Sequence, residues 1–198
     1  MRNKNSNDDF KSVKKIFDFF KLAGKLKQIA RTGWVRRGVK NPESVAEHTY
    51  RVALMSAIIG DMLNLDSEKM MKMALLHDLA ESITGDKTPQ DINLIGTEQF
   101  RNRENKIMND IISLLPENIR EEYIRIWTDF RDESSEEGRV VREIDKLEMI
   151  FQALEYEQEG TSPELLNEFW DSVKSKIKTP LIKKFYDNLE KIRKGYEI

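Results

Sequence analysis

Only two histidines occur in this 198-residue chain, and both fall where apolar residues dominate. His77 stands beside Asp78 inside "MALLHDLAESITGD", residues 73–86, and His48 lies in "NPESVAEHTYRVALM". Neighbours on a helix point ~100° apart, so His77 and Asp78 can meet at one point beside its axis. Glu81, one turn after His77, faces the same space. Burying such groups unpaired costs ~2–7 kcal/mol per polar group, and more for a charge. A divalent cation would satisfy both at once, and His48 could add a second nitrogen from a facing helix. Asp145, in "REIDKLEMIFQALEY", borders the core stripe Ile144, Leu147, Phe151 and Leu154 and offers a further carboxylate; spacing places Glu143 and Glu148 less clearly. Two imidazoles and two carboxylates form a nitrogen–oxygen site suited to Zn, Mn, Fe, Co, Ni or Mg, with positions open to water and substrate. The competing reading is two satisfied core histidines, and spacing alone leaves the two readings balanced.

The chain has no cysteine, which excludes disulfides, thiolate ligands and a cysteine nucleophile. Apolar content of 39%, charged content of 34% and a net charge of −2 fit a soluble helical protein of one domain. That charge gives no global field favouring nucleic acid or an anionic membrane. The start, "MRNKNSNDDF", lacks a signal-peptide core and no run reaches spanning length, so a cytoplasmic location is expected.

The site needs elements to hold it, and the periodicity predicts an all-α fold of about eight helices. Residues 1–9 read as a polar tail and 10–198 as the domain. Phe10, Val13, Phe17 and Phe20 step at helical spacing. Ser44 and Glu47 form a capping box, which explains Glu47 better than metal ligation does. The stripe Val45, His48, Val52, Met55, Ile59, Met62 then turns His48 toward the core. A third helix is expected from Ser67 to Thr84, ended by Gly85, and "DKTPQDINLIG" reads as a loop. Two helices follow, marked by Phe100, Met108, Ile111, Leu115 and by Ile119, Tyr123, Trp127, Phe130. A sixth carries Asp145. Ser162-Pro163 and Thr179-Pro180 open the last two, each with proline at the first helical position.

Lys21 to Lys40 holds seven basic residues and no acid. In a near-neutral chain this suits a phosphate-bearing ligand, with arginine able to grip it through two parallel bonds. Lys21, Lys25 and Lys27 are better read as a solvated helix face. Arg31, Arg36 and Arg37, near Trp34, are better read as ligand contacts. An exposed tryptophan among basic residues also suits base stacking in a nucleic-acid binder.

His48 in "SVAEHTYRVA", the pair in "LLHDLAE" and Asp145 in "EIDKLEM" resemble the HD-domain metal-dependent phosphohydrolases. "RTGWVRRGV", "PESVAEH", "HDLAESITGD" and "LPE" resemble that family's small 5'-deoxynucleotidase branch, from about Phe20 to the end of the sixth helix. The resemblance implies that His48, His77, Asp78 and Asp145 hold a divalent metal. It implies that Glu81 handles the attacking water, that Asp86 is a second acid near the phosphate, and that Trp34 lines the sugar pocket and disfavours a ribose 2'-hydroxyl. It implies a nucleoside 5'-monophosphate substrate and a homodimer. The bacterial branch carries an arginine directly before the tryptophan. Gly33 stands there in this chain, so that role falls to Arg31, Arg36 or Arg37, or is absent. The rival readings are an HD phosphohydrolase acting on a triphosphate, alarmone or cyclic dinucleotide, and a nucleic-acid-binding module with a structural metal.

Overall fold

The computed structural model describes residues 4–195, with side chains from Val13 onward. It is all-α, and among the described residues there is no strand, only an isolated antiparallel bridge between Ala30 and Ser44. Helix α1 (Lys4–Lys25) starts within the stretch expected to be a tail; residues 1–3 of that tail lie outside the described residues. A 3-10 turn (Leu26–Gln28) and short α2 (Thr32–Arg36) lead to α3 (Val45–Leu63), α4 (Ser67–Leu76) and α5 (Glu81–Thr84). Then come α6 (Pro89–Ile95), α7 (Thr97–Ile112), α8 (Glu117–Asp132), α9 (Glu136–Gln158), α10 (Pro163–Lys174) and α11 (Pro180–Arg193).

Helix α9 is the axis of the bundle, packed against α3, α4, α8, α10 and α11. Its Val141, Ile144, Leu147 and Ile150 are fully buried, which places Asp145 and Glu148 at the centre of the molecule. Helices α3 and α4 form a close antiparallel pair joined through Asn64, which adopts the left-handed conformation. Gly60 permits that approach, since a Cβ there would sit 2.9 Å from the Ser67 backbone. Ser44 and Glu47 form both bonds of the expected capping box.

Three expectations change. The helix expected over Ser67–Thr84 breaks at His77–Ala80, and α5 resumes only at Glu81. The stretch read as a loop contains α6, whose start has Pro89 at the first position and a capping box between Thr88 and Asp91. The α1 stripe faces outward from Val13 onward: Val13, Phe17 and Phe20 are exposed, Phe19, Leu22 and Ala23 pack on the core instead, and the Phe10 side chain lies outside the described residues. Among the described residues no helix is long and apolar enough to cross a membrane.

Candidate metal centre

His48 enters one turn into α3, where the Ser44 cap fixes the helix start. The adjoining loop is tied to the same point: Arg31 N–H donates to Glu43 O at 2.9 Å, and Val45 N–H to Ile29 O at 2.8 Å. His77 arrives from α4 by ending it. Its Nδ1 donates to Ala74 O at 2.6 Å, and Leu79 N–H and Glu81 N–H reach back only three residues, to Leu76 O and Asp78 O. These tighter bonds turn Asp78 and Glu81 more sharply than a continuous helix would. Asp145 comes from the middle of α9.

The four residues meet. His48 Nε2 and His77 Nε2 lie 3.3 Å apart. Asp145 Oδ1 is 3.2 Å from His48 Nε2, and Asp78 Oδ2 is 3.0 Å from His77 Nε2 and 3.7 Å from His48 Nε2. Donors bound at ~2.1 Å with angles of ~90–110° around one ion stand about 3.0–3.4 Å from each other. Both rings use Nδ1 elsewhere, His77 on a carbonyl and His48 on Glu148. An Nδ1–H bound to an acceptor leaves Nε2 with its lone pair free. The two Nε2 atoms and an Asp145 oxygen lie within 4.8 Å of one another, with Asp78 Oδ2 against His77, and this donor set fits a divalent cation. Glu81 Oε2 lies beside them, buried and without a hydrogen-bond partner.

The charges confirm how enclosed the point is. Burial opposes the charge on Asp78, yet His77, Arg31 and His48 hold its carboxyl well below the usual range. Burial also opposes Asp145, whose carboxyl Lys146 and the two histidines hold far down. Glu81 moves the other way, raised by burial and then by the negative charges of Asp78 and Asp86. Burial and Arg31 depress the His48 imidazole, but Glu148 and Asp145 outweigh them and bring it to about 9. Without a cation the ring therefore also carries a proton on Nε2, facing Asp145, which a bound metal would displace. The histidines form the floor of the site, and the partly accessible Asp78, Asp145 and Arg31 form its rim.

Of the three arginines, only Arg31 joins the centre. Its Nη1 is 3.3 Å from Asp78 Oδ2 and 3.9 Å from Asp86 Oδ1. Asp86 is itself pinned by the Thr32 N–H, and its carbonyl accepts from Thr32 Oγ1 at 3.0 Å. Arg36 is spent on Thr88 and Asp91, and Arg37 on Glu168. Trp34 is not exposed: it is 1% accessible, its ring stacks on Phe169 at 4.2 Å, and its Nε1–H donates to Glu43 Oε1 at 2.9 Å. Apolar ring area outweighs its basic neighbours and drives it inward, which removes the base-stacking platform that an exposed ring would have supplied. Gly33 has a packing reason, since a Cβ there would press on the Phe169 ring at 3.2 Å.

The sequence did not single out Glu43, Arg51 or Lys146, and it placed Glu148 less clearly than Asp145. Lys146 Nζ bonds Asp145 Oδ2 at 2.8 Å. Glu43, pushed up to about 7 by burial and by Glu148, receives the Trp34 bond. Glu148 follows Asp145 by three residues on one helix, the one spacing signal that pointed to it. The depressions between α7 and α8 and between α4 and α8 are lined by other residues.

Comparison with known proteins accords with this geometry. A family model described as HD domain matches residues 23–185. The protein named 5'-deoxynucleotidase HDDC2 of Mus musculus is 41% identical over 175 residues, covering 88% of this chain and 86% of that protein. Its Danio rerio namesake is 44% identical over 165 residues, covering 83% and 81%. A solved structure, a conserved hypothetical protein from Pyrococcus furiosus, superposes with a TM-score of 0.74 at 34% identity, covering 90% of this chain and 99% of that one. With that model spanning most of its length and relatives at 41 and 44% identity, the chain belongs to the HD-domain family.

Proposed function

We propose that this chain is a metal-dependent 5'-deoxynucleotidase, hydrolysing a deoxyribonucleoside 5'-monophosphate to the nucleoside and inorganic phosphate. The observation that carries the reading is the pair of Nε2 atoms 3.3 Å apart, both Nδ1 atoms engaged, with Asp78 and Asp145 beside them and Arg31 above. The relatives named 5'-deoxynucleotidase support the choice of substrate. His48, His77, Asp78 and Asp145 are the residues to hold the metal. The ion, when bound, supplies Lewis-acid polarisation of the phosphate and lowers the pKa of a water from ~15.7 toward ~7.

The chain's own groups do the rest. Glu81 presents an unpartnered, buried oxygen and a raised proton affinity, the properties of a group that takes the attacking water's proton. Asp86 sits against Glu81 and is anchored by Thr32, so it orients Glu81 and the water. Arg31 lies at the rim and balances phosphate charge as it spreads in the transition state. Water oxygen bonds to phosphorus as Glu81 takes its proton, the P–O5' bond breaks, and Glu81 returns that proton to the leaving O5'. Trp34 acts from beneath, holding the Arg31 loop through Glu43 and Phe169 and so shaping the sugar side of the site.

The deciding assay is phosphate release from deoxy- and ribonucleoside monophosphates by chelator-stripped protein given Mn, Co, Mg, Zn, Ni or Fe in turn. Metal-dependent release favouring the deoxy series is expected. Equal rates with ribonucleotides would remove the sugar selectivity, and silence with every nucleotide and metal would remove the activity. We also infer a homodimer. Tyr50, Leu54, Ile58 and Met62 (the last expected on the core stripe but exposed) form an apolar line along α3, which a second copy would cover. Light scattering should give twice the chain mass for wild type and a monomer for Leu54→Glu/Ile58→Glu.

A further inference from the structure

Behind the two histidines lies a second buried layer that the proposed chemistry does not use. Glu148 is fully buried one turn after Asp145, so a single face of α9 offers one carboxylate to the centre and another to the back of the His48 ring. Glu148 Oε2 bonds His48 Nδ1, and its Oε1 accepts from Arg51 Nε at 2.8 Å. Arg51, on α3 with His48, is gripped in turn: Nη1 reaches both oxygens of Glu155 at 2.7 and 2.8 Å, and Nη2 reaches Gln152 Oε1 at 2.6 Å. The order is Arg51, Glu148, His48, then the centre.

We propose that Glu148, held in place by Arg51, is the positioning residue that keeps His48 as its Nδ1–H tautomer with Nε2 aimed at the metal. The inference rests on the metal-site reading above. An imidazole has two exchangeable proton positions, and the partner at one nitrogen decides which is filled. Without an acceptor at Nδ1 the proton can sit on Nε2, facing His77 Nε2 at 3.3 Å and closing the ligand position. A buried carboxylate is costly unless compensated, and Arg51 supplies that compensation without touching the centre. Glu43, His48 and Glu148 also offer atoms within 4.8 Å of one another. They do not make a second cation site, because Arg51 already brings positive charge to Glu148 and the Trp34 N–H occupies Glu43.

The test is Co(II) titration of the metal-stripped full chain, reading the visible d–d spectrum and the affinity by chelator competition, with thermal melts alongside. Wild type, Glu148→Gln, Glu148→Ala and Arg51→Lys are compared. Glu148→Gln should fold like wild type yet bind Co(II) ~10–100-fold more weakly, with an altered spectrum. Arg51→Lys, which loses the planar grip but keeps the charge, should show a smaller loss in the same direction, and this keeps the proposal testable if Glu148→Ala does not fold. Wild-type affinity and spectrum in both Glu148→Gln and Arg51→Lys would overturn the positioning role while leaving the metal site standing. Absence of Co(II) binding by wild type would overturn the metal-site reading and this inference together.

Discussion

The chemistry is concentrated in residues whose neighbours are all spoken for except on one side. Glu81 is the clearest case, because its Oε2 is buried and unpartnered. Glu81→Ala should therefore keep its Co(II) affinity and lose turnover by ~10²–10⁴-fold; a variant turning over near the wild-type rate would remove Glu81 from proton transfer. Arg31 and Arg37 offer a matched comparison within one segment. Arg31→Ala should lower kcat/KM by at least tenfold, the scale of one lost charged contact, whereas Arg37→Ala, which gives up only an exposed pair with Glu168, should stay within twofold. Steady-state kinetics on both variants checks this. Sequence could show that His48 and His77 face the core and that Asp145 borders a core-facing stripe, because helical periodicity carries that information. It could not separate Arg31 from Arg36 and Arg37, since the difference is set by Asp78, Asp86, Asp91 and Glu168, which come from elsewhere in the chain. Nor could it place Trp34 inside, because the Phe169 and Tyr156 rings that receive it lie more than a hundred residues away.

Among the elements, α9 matters most, and its start is secured from outside. Asp129 Oδ1 accepts from Ser134 Oγ and the Ser135 N–H at 2.7 and 2.8 Å, and its Oδ2 pairs with Lys69 at 2.7 Å. Burial works against its charge, but those donors prevail and hold it at about 2. Because the folded value is depressed, the stabilisation is complete above the ordinary carboxylate pKa of ~3.9 and is lost as pH falls through about 2. Asp129→Asn should cost ~1–2 kcal/mol at pH 7 by urea unfolding, with the gap to wild type closing toward pH 2; a gap independent of pH would show that the carboxylate charge is not what matters. The element map was legible wherever a cap or a first-turn proline marked a helix start, as at Ser44, Pro163 and Pro180. Helix α6 was legible too, in Thr88-Pro89 and Asp91, but its lack of any buried side chain hid it from a search for stripes. The break at His77 was not visible, because an apolar run with good helix formers gives no sign that a histidine will take the Ala74 carbonyl for itself.

For the molecule as a whole, the metal is expected to act as a stabiliser as well as a cofactor. A ligand present at ~100 times its Kd adds ~2.7 kcal/mol. At ~2–4 °C per kcal/mol for a chain of this size, Co(II) should raise the Tm of stripped protein by ~5–11 °C, and an unchanged Tm would argue against binding at this centre. The site joins distant parts of the sequence: His48 and the Glu148 behind it are separated by 100 residues. Local hairpins such as α3–α4 can form early, but a contact of that span has its loop-closure entropy to overcome. Until α9 docks, His48 and His77-Asp78 lack both Asp145 and the group that orients His48. Binding energy that arrives only after the rate-limiting docking cannot lower the barrier to folding; it deepens the well behind it. In stopped-flow denaturant jumps, saturating Co(II) should leave the refolding rate within about twofold and slow unfolding by the full equilibrium gain, about a hundredfold at ~100 times Kd. The centre would then serve the cell as a timer on unfolding, with the lifetime of each folded molecule set by the free metal around it.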